Sequence, residues 1–317
     1  MMRASSAVWL TAAAFVASFA QGATHGAIPR APDGHPSFEG TWTNATITPF
    51  ERPVELGTKA FYAPGEMREV EANGQARMQK VYRPDEGVGT DNEAFFEKDR
   101  HWLPTRQTSL VMEPADGRVP LRPELLSRSD AHSHTLDSYE TMNPMERCVS
   151  LGATILFPKF INNGYEIVQT GDQLLVHTEM MNDVRLIPLK PRPAPSASVT
   201  EWAGISRGHW EGDTLVVETT NFNDRGRILS SLAQMAPRNF PQTKQLHTVE
   251  RFTLRDANTI DYRITFDDPA VFTKPWTVSF PFTRSKSYRL YEFACHEGNI
   301  DLEITLQGAR VEEQRGH

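Results

Sequence analysis

Cysteine is scarce in this chain: Cys148 and Cys295 are the only two. They are far apart, so there is no Cys-x-x-Cys redox pair and no four-thiolate zinc site. The chain also lacks a Walker loop, a Gly-x-Gly-x-x-Gly turn after a strand and a His-Glu-x-x-His helix. Common nucleotide enzymes and zinc proteases of that type are therefore excluded, and no cofactor is expected. Basic excess is missing too. With 33 basic against 40 acidic residues the net charge is −7, the wrong sign for a phosphate-binding surface, so no nucleic-acid partner is expected. No block of like charges suggests an anionic-membrane tail. Beyond the N-terminus no apolar run reaches the ~20 residues a membrane span needs. No repeat with a period of about 20–50 residues is evident.

What is present begins with an address. Arg3 supplies a positive start, Ala7 to Phe19 is small and apolar, and Ser18-Phe19-Ala20 fits a signal-peptidase site. Residues 1–20 therefore read as a secretory signal, with Gln21-Gly22-Ala23 as a second cut that fits. The expected location is periplasmic or secreted. Export changes how the two cysteines read: in an oxidising compartment a pair is more often a bridge than catalytic thiols. A Cys148–Cys295 disulfide would close a loop of nearly half the chain, worth at most ~5 kcal/mol of unfolded-state entropy. Unbridged, the Cys295-His296-Glu297 run would instead be candidate reactive chemistry.

Residues 21–37 read as a flexible leader, punctuated by Pro29, Pro32, Gly34 and Pro36. Residues 38–150 form an N-terminal segment with a helix over 64–81 opening on Pro64, a strand over Gln107–Glu113 and a short helix over Arg122–Arg128. From about 151 to 317 short strands alternate with turns. Strands are expected at Glu166–Thr170, Leu174–Glu179, Arg185–Leu189, Thr214–Thr220, His247–Leu254, Thr259–Phe266, Thr277–Phe282, Arg289–Cys295 and Leu302–Leu306. Ile260, Tyr262, Ile264 and Phe266 share one face, while Asp261, Arg263 and Thr265 share the other. Gly171-Asp172, Gly212-Asp213 and Ala257-Asn258 stand where hairpin turns belong. Pro191, Pro193 and Pro195 mark a loop or seam. The fold class is mainly β: an antiparallel meander closing into a barrel, with a two-sheet sandwich as the alternative. With 17 Phe, 7 Tyr and 6 Trp, a substantial core can form.

Two motifs carry a resemblance. Pro32-Asp33-Gly34-His35-Pro36-Ser37-Phe38-Glu39-Gly40-Thr41-Trp42 resembles the opening of a large group of secreted bacterial proteins. Ser206-Arg207-Gly208-His209-Trp210-Glu211-Gly212-Asp213 and the strand after it resemble that group's central motif. Glu250-Arg251-Phe252, Asp267-Asp268-Pro269 and Cys295-His296-Glu297-Gly298-Asn299 complete the likeness. The group carries no assigned reaction, so the resemblance implies none. Its β pattern looks lipocalin-like, and Gly40-x-Trp42 is similar to the lipocalin opening strand.

Candidate chemistry falls in five places. His296 is a candidate general base, against a turn after a disulfide. His177 and Glu179, two apart on one expected strand, are a candidate base and orienter, with Arg185 on the next strand to pair Glu179 or hold an anion. Arg207, His209 and Glu211 would line one side of an extended segment, with Trp210 on the other. Asn221 opens a loop at the expected barrel mouth. His132-Ser133-His134 is a candidate metal pair without an identifiable third ligand. The leading function is an exported barrel that encloses a small apolar or aromatic molecule, in a cavity lined by the aromatics of alternating strands, with Arg185, Arg207 and Glu179 fixing its orientation. One alternative is a cofactor-free lyase, isomerase or hydrolase on the same scaffold. Another is an envelope interaction protein docking through residues 40–150. Oligomeric state is not readable from the sequence.

Overall fold

A computed structural model describes residues 27–81, 100–128, 136–142, 144–229 and 239–315. Residues 1–20, expected to be a signal, and the pair His132 and His134 lie outside the described residues. The elements in chain order are β1 (Gly40–Thr43), α1 (Met67–Val81), β2 (Val111–Glu113), β3 (Gly164–Gln169), β4 (Gln173–Thr178) and β5 (Asp183–Pro188). Then follow β6 (Ile205–Glu211), β7 (Thr214–Thr220), β8 (Arg227–Leu229), β9 (Asn239–Pro241), β10 (His247–Asp256), β11 (Thr259–Asp267), β12 (Trp276–Arg284) and α2 (Asp301–Arg315). Every strand pairing is antiparallel, and the main sheet curls into a nearly closed barrel. β1 and β2, upstream of residue 150, belong to the same sheet as the strands downstream of it.

The meander's periodicity fixes which side chains point inward. Ile260, Tyr262, Ile264 and Phe266 of β11 face Phe282, Phe280, Val278 and Trp276 of β12 in register. All eight are at most 2% exposed. The rings interlock: Phe266 stacks on Trp276 at 4.5 Å, and Tyr262 lies 5.0 Å from Phe280. Such pairs add about 0.5–1.5 kcal/mol each beyond area burial. Trp42, Tyr165 and Phe252 are also buried. The Tyr165 ring sits 5.1 Å from Phe282, and that of Phe252 4.9 Å from Tyr262. The interior is thus packed with the protein's own side chains.

The ring of strands runs β1-β3-β4-β5, then β6-β7-β10-β11-β12 and back to β1, in chain order throughout. Nine strands make this circuit, and β2 pairs only with β12. An odd number of strands, each antiparallel to the next, leaves one pair parallel, and that pair is β5 and β6. No backbone ladder joins them among the described residues. Their connection, residues 189–204, exceeds the dozen or so residues a parallel return requires and holds the three prolines. The strands still touch. A Cβ on Gly208 of β6 would lie 2.7 Å from Leu189 Cδ2 and 3.2 Å from Ile187 Cγ2, so the glycine gives these two side chains room to pack against β6.

Two expected strands are absent. Leu302–Leu306 lies within α2. Its five-residue alternation is equally an i, i+4 helical pattern, and the Gln307-to-Arg315 stretch is rich in helix formers and has no turn signal. Arg289–Cys295 pairs with nothing. Both flanks of β12 are already taken by β11, β1 and β2. The leader is fixed from Pro29 onward. Ala31 N–H donates to the His35 carbonyl, Arg30 pairs with Asp213 at 2.6 Å, and His35 stacks on Trp210 at 4.4 Å. The two motifs of the resemblance therefore pack on each other, at the end of the barrel holding the β6–β7 turn.

Candidate functional site

The opposite end of the barrel holds a cleft of about 690 Å³ over the parallel seam. Asp183 and Val184 start β5; Thr200, Glu201, Trp202 and Ala203 end the proline loop; Asn223, Asp224 and Arg225 follow β7. Ser150 and Lys244 complete the lining. Each loop has a local reason for its shape. Gly204 takes φ +67° to turn the chain into β6. Asn223 Oδ1 accepts from the N–H groups of Arg225 (3.0 Å) and Gly226 (3.1 Å), an Asx turn. Beneath, the buried Gln242 donates Nε2–H to the Asn223 carbonyl at 2.9 Å and to the Trp202 carbonyl at 3.4 Å.

Asp183 is the chemically distinctive group. Ser150 Oγ donates to its Oδ2 at 2.8 Å. Burial raises its pKa from the ordinary aspartate value, against the opposing pull of the Ser150 hydroxyl, the Leu151 N–H and the Lys159 ammonium. Such a carboxyl holds its proton more readily than a solvated one and can present it to a bound molecule. Asp224 is answered by Lys244 at 3.4 Å. A second, outer groove of about 330 Å³ runs between Phe61, Met112 and Pro281, and its rim ions Arg255–Asp261 and Arg263–Glu113 are mutually paired.

No protein-family model, curated protein or solved structure matches this chain. Function has to be read from the side chains themselves. The residues singled out in sequence are spread across the molecule. Arg185 points into the barrel: it stands opposite Val176, on the inward face, while His177 stands opposite Val184 on the outward face. Arg185 does not reach Glu179. Its Nη1 donates to Glu250 Oε1 at 2.8 Å and its Nη2 contacts Glu250 Oε2. Further bonds go from Nε to Ser206 Oγ at 2.9 Å and from Nη2 to Thr219 Oγ1 at 2.8 Å. Burial depresses the guanidinium pKa and the adjacent Glu250 more than restores it. Tyr262 O–H donates to Glu250 at 2.8 Å, and burial together with Glu250 holds its pKa well above the usual value.

Glu179 leaves the strand, turning into a helical conformation (φ −62°, ψ −50°). It is buried, accepting from Asn162 Nδ2 at 2.9 Å and Tyr288 O–H at 2.5 Å. His177 Nε2 meets Asn182 Oδ1 at 2.8 Å and shares no partner with Glu179. His296 is exposed on the Cys295–Gly298 turn. Arg207, His209 and Glu211 do share the outer side of β6: Arg207 donates to the Pro193 carbonyl, and His209 and Arg251 both approach Glu211. Trp210 lies on the inner side, against the core. Asn221 clamps the proline loop below the cleft, donating to the Ser196 and Val199 carbonyls. The Cys148–Cys295 disulfide is formed, with Cα atoms 5.6 Å apart, and it pins the C-terminal segment.

Asp183, Ser150, Trp202 and Gln242 escaped the sequence reading. A carboxylate at the start of a strand looks like a solvated one until its burial is known. Gly204-Ile205-Ser206-Arg207-Gly208 also has the Gly-x-Ser-x-Gly spacing of a hydrolase nucleophile. Its Ser206 points into the closed core and is bonded to Arg185 and Thr219, so no substrate reaches it.

Proposed function

We propose that this is an exported β-barrel protein that binds a small molecule in the cleft over the β5–β6 seam. One observation carries the reading: the lumen is packed with aromatic side chains, while the seam cleft combines open volume, an aromatic wall at Trp202 and a half-buried carboxyl at Asp183. Ligand sites join an apolar surface to a few placed polar groups in this way. The disulfide agrees with an oxidising compartment, and no described helix is long and apolar enough to cross a membrane. The test is the intact mass of protein purified from the periplasm, under native and denaturing conditions. The expected result is an organic increment in the native mass only, lost in Trp202→Ala and kept in the outer-groove variant Met112→Ala. Identical native and denatured masses, or an increment that survives Trp202→Ala, would defeat it.

A second reading is favoured by Asp183 itself. A half-buried carboxyl with a raised pKa beside an open cleft is a candidate for proton transfer. In an acid–base enzyme Asp183→Asn lowers turnover about 10²-fold or more; in a binder it changes affinity and nothing else.

A further inference from the structure

Resting on the cleft reading above, we infer that the cleft seats the head of a single-chain amphiphile whose hydrocarbon tail lies outside the barrel, along β5, β4 and β3. A sheet with one face on the core normally turns polar residues to solvent. β11 does so with Asp261, Arg263 and Thr265, and β6 with Arg207, His209 and Glu211. β5 reverses the pattern. It turns Arg185 inward and Val184 and Leu186 outward, where they are 58% and 47% exposed. Leu186 stands beside Leu175 of β4, and Leu175 beside Val168 of β3, itself 45% exposed. Val184, Leu186, Leu175 and Val168 therefore make one apolar band across the outside of three neighbouring strands. A contiguous exposed band of this kind marks a binding surface.

The position of the band identifies its occupant. Val184 is the first residue of the band and also lines the cleft. Two residues of extended chain, about 7 Å, carry the band from there to Leu186. An apolar strip running out of a polar, charged pocket fits a molecule with a polar end and an apolar end. A second copy of the chain, or a membrane surface, would cover the band without using the cleft. The charges lining the cleft describe the head. Lys244 answers Asp224 at 3.4 Å, and Ser150 Oγ donates to Asp183 at 2.8 Å. Glu201 and Arg225 remain, one of each sign, and among the described residues neither side chain has a partner. The pair matches a zwitterionic head, with the guanidinium for its phosphate and the carboxylate for its ammonium. Trp202 walls the head on its apolar side.

The experiment is isothermal titration of the intact, disulfide-bonded protein with octyl-, decyl- and dodecylphosphocholine, each below its critical micelle concentration. Affinity should rise about two- to fourfold per added methylene, as the tail leaves water for the band. Leu186→Asp and Trp202→Ala should each weaken the decyl probe tenfold or more, the first at the tail and the second at the head. Far-UV circular dichroism checks that each variant folds, and Leu186→Ser replaces Leu186→Asp if it does not. Affinity that ignores chain length, or that is unchanged in the Leu186 variant, overturns the inference; the cleft then stands if binding still needs Trp202. Binding that grows with chain length but ignores Trp202→Ala rejects the head seat, and the cleft with it. Failure of all three probes in protein whose native mass still carries a Trp202-dependent increment rejects the amphiphile and keeps the cleft. A dimer in sedimentation velocity that Leu186→Asp dissociates gives the band to a second copy and overturns the inference as well.

Discussion

Breaking the Arg185–Glu250 pair should destabilise this barrel more than breaking any surface ion pair. The Arg185 side chain is 7% exposed and that of Glu250 1%. The guanidinium serves Glu250, Ser206 and Thr219, and Glu250 also accepts from Tyr262, so five strands meet at one charge pair. Arg185→Met leaves a carboxylate buried without its cation, and Glu250→Leu leaves the converse. Each should lose about 3–5 kcal/mol, the usual result of stranding a buried charge. The double variant removes both charges. Ser206 and Thr219 then keep each other at 3.0 Å, and the main residual loss is the unpaired Tyr262 hydroxyl, about 1–3 kcal/mol. The double variant should therefore lie well above the sum of the singles, with a coupling energy of roughly 2 kcal/mol or more. The assay is urea unfolding followed by tryptophan fluorescence and far-UV circular dichroism, at low and high salt. Salt should leave the differences nearly unchanged, because buried pairs are weakly screened. Single substitutions costing under about 1 kcal/mol, or an additive double variant, would refute the reasoning, because a charge that water can reach is not stranded.

Replacing both Cys148 and Cys295 by Ser opens a loop of sequence separation 147 and should lower stability by up to about 5 kcal/mol; urea midpoints of oxidised and doubly substituted protein measure it, and no shift rejects the staple. Gly204→Ala should cost about 2 kcal/mol or more by thermal unfolding, since φ is +67° and the new Cβ would stand 2.7 Å from the Thr220 carbonyl oxygen; a neutral outcome would mean the turn into β6 relaxes freely. Asp183 sets a pH dependence of definite sign. Its folded pKa is raised above the unfolded value, so the folded state holds the extra proton, and stability declines as pH climbs from the ordinary carboxylate range through the raised value. Asp183→Asn should remove that part of the slope when unfolding free energy is followed against pH, and an unchanged slope assigns it elsewhere.

Local alternation made much of the fold readable. β7 matches its expected bounds, and β10, β11 and β12 differ by a residue or two at their ends, because each carries one buried face over many residues. The disulfide was readable from a count of two cysteines and the expectation of export. What escaped depends on non-local facts. β1 is four residues long, and β6 contains Gly208 and exposed charge, so neither has the apolar run that marks a strand. Arg185 is indistinguishable in sequence from a ligand-binding arginine; only the register that puts it opposite Val176 turns it inward to Glu250. Asp183, two residues earlier on the same strand, shares that inward parity but sits at the strand's open end, where the cleft begins.

These two residues point to a common origin for latch and cleft. A meander of nine strands cannot close with hairpin pairs alone, so β5 and β6 meet in parallel without a ladder. Closure then has to come from side chains. Inside, Arg185 reaches past β6 and β7 to Glu250 on β10; at the seam, Gly208 admits Ile187 and Leu189. The parallel arrangement also forces the chain to travel back along the barrel before β6 can begin, and that return loop ends in Thr200, Glu201 and Trp202, three residues of the cleft wall. With an even number of strands the seam would be a hairpin, the return loop would vanish, and Trp202 would have no cleft to wall. Shortening the return loop should accordingly abolish the cleft before it unfolds the barrel, because the aromatic core on β11 and β12 lies across the barrel from the seam and does not depend on it.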